Sequence, residues 1–182
     1  MGSGAQPAGG PTGGHVFVLV GGWPGSGKTT LAGLLAPALG LPLLAKDEVK
    51  EAIADALGRP RSVGESRRLG RAAAEVVLRV ARRCPGAVLD STWFPYTLDL
   101  VRALPGRPVE VRCVVPVEVA RDRYRRRAAD RHPSHLDLER APAELWGQPV
   151  APLGVGPLVT VDTTGAVDLP DVVARIRGAV PG

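Results

Sequence analysis

From residue 16 to residue 20 the chain reads Val-Phe-Val-Leu-Val without a polar interruption, the pattern of a strand buried on both faces of a parallel sheet. A glycine-rich turn follows, and residues 29–39 read as a helix ended by Gly40. Short apolar runs and amphipathic stretches then alternate. Strands are expected at 41–45, 87–89, 109–115 and 158–161. Helices are expected at 47–57, closed by Gly58, and from a Ser62/Glu65 capping box to about Arg83. Further helices fall at 96–104, 118–129 and 169–177, with a shorter helical piece at 138–146. This alternation predicts a three-layer α/β fold, a five-stranded parallel sheet with helices on both faces and ligands at the carboxyl ends of the strands. Residues 1–14 are rich in Gly and Pro and nearly free of large apolar groups, so they read as a flexible leader ahead of one domain over 15–182.

Composition excludes several classes. Only 4% of the 182 residues are aromatic, so aliphatic side chains must build the core. No apolar run approaches the roughly 20 residues of a membrane span, and no basic segment leads into an apolar one at the N-terminus. Cys84 and Cys113 lie far apart, which argues against a disulfide framework or a zinc site and fits a reducing cytoplasm. The net charge is +5, yet 20 of the 23 basic residues are Arg and Asn is absent. Such a bias is that of GC-rich coding, and it accounts for much of the basicity without a polyanionic partner. It also isolates the three lysines, Lys28, Lys46 and Lys50, within one short region.

The strongest chemical signal is Gly22-Trp23-Pro24-Gly25-Ser26-Gly27-Lys28-Thr29, followed by Thr30, which satisfies G-x-x-x-x-G-K-[ST] between a buried strand and a helix. Glycines there allow successive backbone N–H groups to cradle phosphate oxygens, and the helix start adds a positive end. Lys28 is expected to reach the outer phosphates and the Thr29 hydroxyl to ligate a metal, so ATP and Mg²⁺ are the expected cofactors. Asp90 closes the third strand, where it either joins the Mg²⁺ shell through water or caps a turn with Ser91.

The stretches GGWPGSGKTTLAGLLAPALGLPLLAKDEVKEAI, VLDSTWFP and PVEVARDRYRRRAADRHP together resemble the small P-loop kinases. That group includes chloramphenicol phosphotransferase, gluconate and shikimate kinases and polynucleotide 5′-hydroxyl kinase. The likeness runs from Val16 to Arg177 and implies a P-loop NTPase fold with a basic helical lid. It also implies that Asp47 faces the acceptor hydroxyl, with Lys50 three positions on as a substrate contact. A carboxylate there orients the hydroxyl proton, although Asp47 equally suits a helix N-cap. Lys46 flanks the strand. The lid spacing falls on Arg123 and Arg127, which the resemblance makes catalytic, while Arg121 and Arg125 serve either adenine or solvent. Many relatives carry Asn where this chain has Trp93. Trp93 and Phe94 either stack on substrate or pack against the following helix. Asp162-Thr163-Thr164-Gly165 either meets adenine or makes a turn.

The expected function is therefore transfer of the γ-phosphoryl of MgATP to a hydroxyl of a small molecule: sugar-like, a metabolite or an antibiotic. The alternative is a polynucleotide 5′-hydroxyl kinase, which the charge suits, although no basic surface interleaved with aromatics is visible. An NTPase without a small-molecule acceptor ranks behind both, and a nucleotide switch of the GTPase kind is argued against because a chain without Asn cannot hold the guanine-reading N-K-x-D motif. No membrane partner is expected, and oligomeric state is not encoded in any feature.

Overall fold

The computed structural model describes residues 15–180, so the leader expected at 1–14 lies outside the described residues. The strands are β1 (Val16–Gly21), β2 (Leu43–Ala45), β3 (Gly86–Asp90), β4 (Arg107–Val114) and β5 (Leu158–Asp162). The helices are α1 (Lys28–Leu39), α2 (Lys46–Leu57), α3 (Val63–Ala81), α4 (Leu98–Arg102), α5 (Val117–Ala128), α6 (Pro142–Trp146) and α7 (Leu169–Ala179). All strand pairs are parallel, in the order β2-β3-β1-β4-β5. The expected three-layer sheet with helices on both faces is present.

Strand geometry explains the unbroken apolar run of β1. Successive side chains point to opposite faces, and both faces are covered. Val18 and Val20 pack with Val109, Val111, α1 residues Leu31 and Leu35, and α7 residue Ile176. Phe17 and Leu19 pack with Leu89, α3 residues Val77 and Leu78, and Trp93. At β4 this second face departs from the apolar rule. Glu110 is buried there and accepts hydrogen bonds from the N–H groups of Leu153 (2.6 Å) and Val155 (2.9 Å). A helix-free strap, residues 147–157, thus runs along this part of the sheet and is latched to it by one carboxylate.

Several element ends shift by one or two residues, and three of the differences have a local reason. β2 begins at Leu43 rather than 41. Pro42 has no N–H to give a ladder, and its carbonyl accepts from Val88 N–H instead. The helix expected at 96–104 divides into a 3₁₀ turn, Pro95–Thr97, and the short α4. There the Thr97 N–H and hydroxyl both donate to the Phe94 carbonyl. The piece expected at 138–146 shrinks to a 3₁₀ turn, Asp137–Glu139, and α6, which starts at Pro142 because proline suits the first helical position. Ser62 caps α3 as the capping box requires, accepting from Glu65 N–H, but the Glu65 carboxylate reaches back to Arg61 N–H.

No helix among the described residues is long and apolar enough to cross a membrane. Replacing Glu110 by Ala leaves the half-buried N–H groups of Leu153 and Val155 without their acceptor and should cost about 1–3 kcal/mol. Urea unfolding measures the loss, and hydrogen exchange should localise early opening to Leu153 and Val155. Glu110→Gln, which keeps one acceptor oxygen, should lose less than Glu110→Ala.

Candidate active site

The turn from β1 into α1 is built on glycines for two separate reasons. Gly22, Gly25 and Gly27 have φ of +145°, +84° and +85°, a region that other residues rarely adopt. Two of them are also wedged against backbone. A Cβ on Gly22 would lie 2.7 Å from the Cys113 carbonyl oxygen, and one on Gly25 would lie 2.1 Å from that of Ala120. The loop is thereby pressed between the end of β4 and the first turns of α5. Ser26 N–H closes it onto the Trp23 carbonyl at 3.0 Å, and the Thr163 hydroxyl donates to the Ser26 carbonyl.

This loop ends at a helix start with spare donors. Gly27 offers no side-chain cap to α1, so the first N–H groups of that helix are not capped by it. The Ser26 hydroxyl is buried without a partner. Lys28 is buried, and that burial lowers its pKa, although Asp90 and Asp47 pull it back up. Donors and a desolvated ammonium converging on one concavity make a site for a polyanion.

Register places the acids beside this loop. Asp90 pairs with Val20 across β1–β3, and Ala45 pairs with Asp90 across β2–β3. Burial raises the Asp90 pKa, opposed by Lys28 and by a hydrogen bond with the Thr29 side chain. One Asp90 oxygen, Oδ1, is buried without a partner. A hydroxyl and a carboxylate side by side, with an orphaned oxygen, are a hard-oxygen donor set that fits Mg²⁺ carrying several waters.

Asp47 sits in the first turn of α2 and behaves in the opposite way. Its burial alone would raise the pKa, but Lys46 at 2.6 Å and the Arg131 guanidinium outweigh it and hold the carboxyl well below the usual carboxylate range. Arg131 also binds Asp137 at 2.9 Å. Arg131 follows α5 directly, and Asp137 lies in the turn beyond it. The basic segment therefore closes onto Asp47. In the sequence Arg131 reads only as an extension of the basic helix, and Asp137 stands in no motif.

The lid arginines separate. Arg123 donates to the carbonyls of Thr163 and Thr164, at 2.9 and 2.7 Å, and so lies at the loop after β5. Arg127 instead lines a cavity of about 740 Å³ together with Lys28, Asp47, Lys50 and Arg131. Its Nε is buried without a partner. Lys50, at the cavity wall, is held in a network, donating to Ser66 Oγ at 2.8 Å and approaching His135 Nδ1 at 3.4 Å. Burial brings its pKa down to about 8. Trp93 lines the cavity but is mostly spent on packing, with its indole N–H donating to the Val20 carbonyl at 3.1 Å. Trp23 reaches the other way and donates to the Gln148 carbonyl, while Trp146 donates to the Pro24 carbonyl. This exchange binds the strap to the turn.

The family model of an AAA domain, AAA_33, matches residues 17–146. The chain belongs to this AAA-domain family. As an AAA domain it is similar to a candidate kinase from Chloroflexus aurantiacus J-10-fl, known from a crystal structure: 31% identity, 92% of this chain and 99% of that one covered, TM-score 0.78. It shares its P-loop NTPase fold with shikimate kinase from Acinetobacter baumannii in complex with shikimate (20% identity, 91% and 92% covered, TM-score 0.54). Kti12 from Chaetomium thermophilum in complex with ADP-AlF₃ has the same fold (19% identity, 92% and 100% covered, TM-score 0.61). No curated protein matches the AAA domain.

One lining residue of the cavity carries a strongly shifted titration. His135 is buried between Lys50 and Glu51, whose carboxylate lies 2.7 Å from Nε2. Burial, with Arg131 and Lys50 nearby, takes the His135 pKa down to about 3. A neutral ring then accepts at Nδ1 from Lys50 and donates from Nε2 to Glu51. Between pH 3 and the ordinary 6.5 the unfolded chain binds the extra proton, so this group makes stability fall as pH is lowered through that window. The slope from His135 should approach about 1.4 kcal/mol per pH unit, softened near pH 4.5 by Glu51, whose pKa burial raises. Urea unfolding between about pH 4 and 6 should show a shallower pH dependence in His135→Gln than in the unaltered chain.

Proposed function

We propose that this AAA domain is a kinase that moves the γ-phosphoryl group of ATP onto a hydroxyl of a small molecule. One juxtaposition carries the reading: Lys28 of the glycine turn and Asp47 of α2 line one cavity, so a phosphate tail and an alcohol can meet there. The candidate kinase from Chloroflexus aurantiacus, similar over nearly its whole length, supports it.

In this reading Gly22, Trp23, Pro24, Gly25, Ser26 and Gly27 form the turn whose backbone holds the phosphates, with Lys28, Thr29 and Thr30 at the helix start. Thr29 and Asp90 would hold Mg²⁺, which when bound would supply charge neutralisation of the phosphate oxygens. Arg127 adds a partly desolvated guanidinium beside the transferring group. Arg123 braces the loop after β5 at the nucleotide side of the turn.

The Asp47 environment fixes how its proton chemistry runs. A carboxylate stabilised by two cations is a weak base, so it does not strip the alcohol in advance. It accepts a hydrogen bond from the hydroxyl and directs an oxygen lone pair at phosphorus. As the O–P bond forms and the bond to the ADP oxygen breaks, the hydroxyl becomes far more acidic and passes its proton late to the Asp47 carboxylate, which gives it up to water as the products leave. That order suits a loose transition state, in which the nucleophile needs little activation. Water is the competing nucleophile, and Arg131, by tying the segment beyond α5 to Asp47, helps to keep it out.

Lys28→Ala should abolish measurable MgATP binding by calorimetry. Asp47→Asn should bind MgATP within about threefold of the unaltered chain while acceptor-dependent ADP release falls at least about 100-fold. Transfer by Asp47→Asn at an undiminished rate would refute the assignment of Asp47.

A further inference from the structure

The cavity has two unlike ends. Toward the glycine turn it is charged. Toward the strap and the β3–α4 connection it is apolar, with Trp93, Phe94, Tyr96, Leu98, Val150 and Leu153 among its lining residues.

Phe94 is the unusual member. It is 46% exposed and Tyr96 45%, although the chain has few aromatics. Their rings stack at 5.9 Å between centroids, 18° from parallel, and the Arg71 guanidinium covers Tyr96 at 5.1 Å. The backbone beneath is not loose. Trp93 anchors one side to Val20, and the Phe94 carbonyl receives both the N–H and the hydroxyl of Thr97. Phe94 is therefore held at the cavity by a pinned turn, with apolar area that the core does not use.

The charged end adds a second constraint. Away from Lys28 and Arg127, the cations lining the cavity already have partners among the described residues. Lys46 and Arg131 share Asp47, with Asp137 also on Arg131. Arg67 and Arg140 share Glu144. Lys50 is bound to Ser66, and Arg71 lies on Tyr96. Among these residues no cluster of spare cations awaits an acceptor's own carboxylate or phosphate.

We infer that the acceptor is an uncharged amphipathic alcohol with an aromatic or heteroaromatic ring: its hydroxyl lies at Asp47 and its ring against Phe94 and Tyr96. The inference rests on the kinase reading and narrows it. A polyhydroxy acid would leave the apolar wall unmatched, and Lys46, Arg67, Arg131 and Arg140, which could meet its carboxylate, are already paired with acids. A ring on the aromatic wall gains both buried area and stacking. The volume, about 740 Å³, accommodates such a molecule beyond a bare sugar.

The test is ADP release from MgATP by the full chain, over acceptors matched in size. The probes are 1-phenyl-1,2-ethanediol, chloramphenicol, thymidine and adenosine, set against gluconate, shikimate, glucose and a 5′-hydroxyl oligonucleotide. Ring-bearing uncharged alcohols should raise the rate at least about tenfold over the polyhydroxy set. For the best of them, Phe94→Ala should raise KM about tenfold with kcat nearly retained, and Phe94→Trp should restore KM to within about threefold. That split separates ring binding from a merely structural role. Preference for gluconate, shikimate or glucose overturns the inference and leaves the kinase reading standing. Preference for the oligonucleotide overturns it in favour of a nucleic-acid end. No stimulation by any probe, with MgATP bound, counts against the kinase reading itself and the inference falls with it.

Discussion

The contact of the glycine turn with the backbone of Cys113 and Ala120 is the constraint on which the site depends. Neither Gly22 nor Gly25 has room for a methyl group, quite apart from backbone angle. The turn is consequently a packed element of the core edge and not a free loop. Its position against β4 and α5 brings the start of α1 to the carboxyl ends of β1, β2 and β3 together. Parallel pairing then carries Asp90 to the level of Val20, and Asp47 to the next strand end. A binding surface for a polyanion arises because three strand ends and one helix start share a plane.

Two carboxylates at neighbouring strand ends are driven apart in their proton affinity by their surroundings. Asp90 keeps an orphaned oxygen in a buried place, so its charged form is costly unless a cation is near. Lys28 partly supplies one, and in return its own ammonium is desolvated less harmfully. Asp47 is buried too, yet Lys46 and Arg131 reverse the effect. The division leaves one acid with an unpaired oxygen in a buried place and holds the other ionised beside two cations. Arg131 matters in this balance because it arrives from the segment after α5, so the charge state of Asp47 depends on where that segment lies.

The fold was largely legible because hydrophobic period and glycine chemistry are local signals. The run at 16–20, the turn at 22–29 and the caps at Gly40, Gly58 and Ser62 each carry their cause within a few residues. Placement of Lys28 and Asp90 followed from that order of elements. The resemblance to small P-loop kinases added Asp47 and the lid, and Asp47 does line the same cavity as Lys28. What the sequence did not disclose is long-range. Glu144 and Glu110 are ordinary acids in the chain, and only tertiary approach gives them Arg67 and the strap N–H groups, as it gives Asp47 the Arg131 guanidinium. The choice between Trp93 and Phe94 was likewise undecided by pattern. A Cβ on Gly21 would lie 2.9 Å from the Trp93 ring, so the bare glycine makes room for the larger ring under the sheet and Phe94 is left outside.

Chemistry and specificity are therefore drawn from different parts of the architecture. The phosphate turn, Asp90 and Asp47 belong to strand ends whose spacing the sheet dictates. The apolar wall belongs to the β3–α4 connection and to the strap, where the sheet dictates nothing beyond the end points. Glu110 makes the strap an exception among connections, since it fixes Leu153 and Val155 against the sheet by two hydrogen bonds from inside the core. The Trp23 and Trp146 bonds fix its other end to the turn itself. A strap tied at both ends holds Val150 and Leu153 in a set place relative to Lys28. The distance from the apolar wall to Lys28 is thus set by bonds to the core and to the glycine turn, independently of the strand ends.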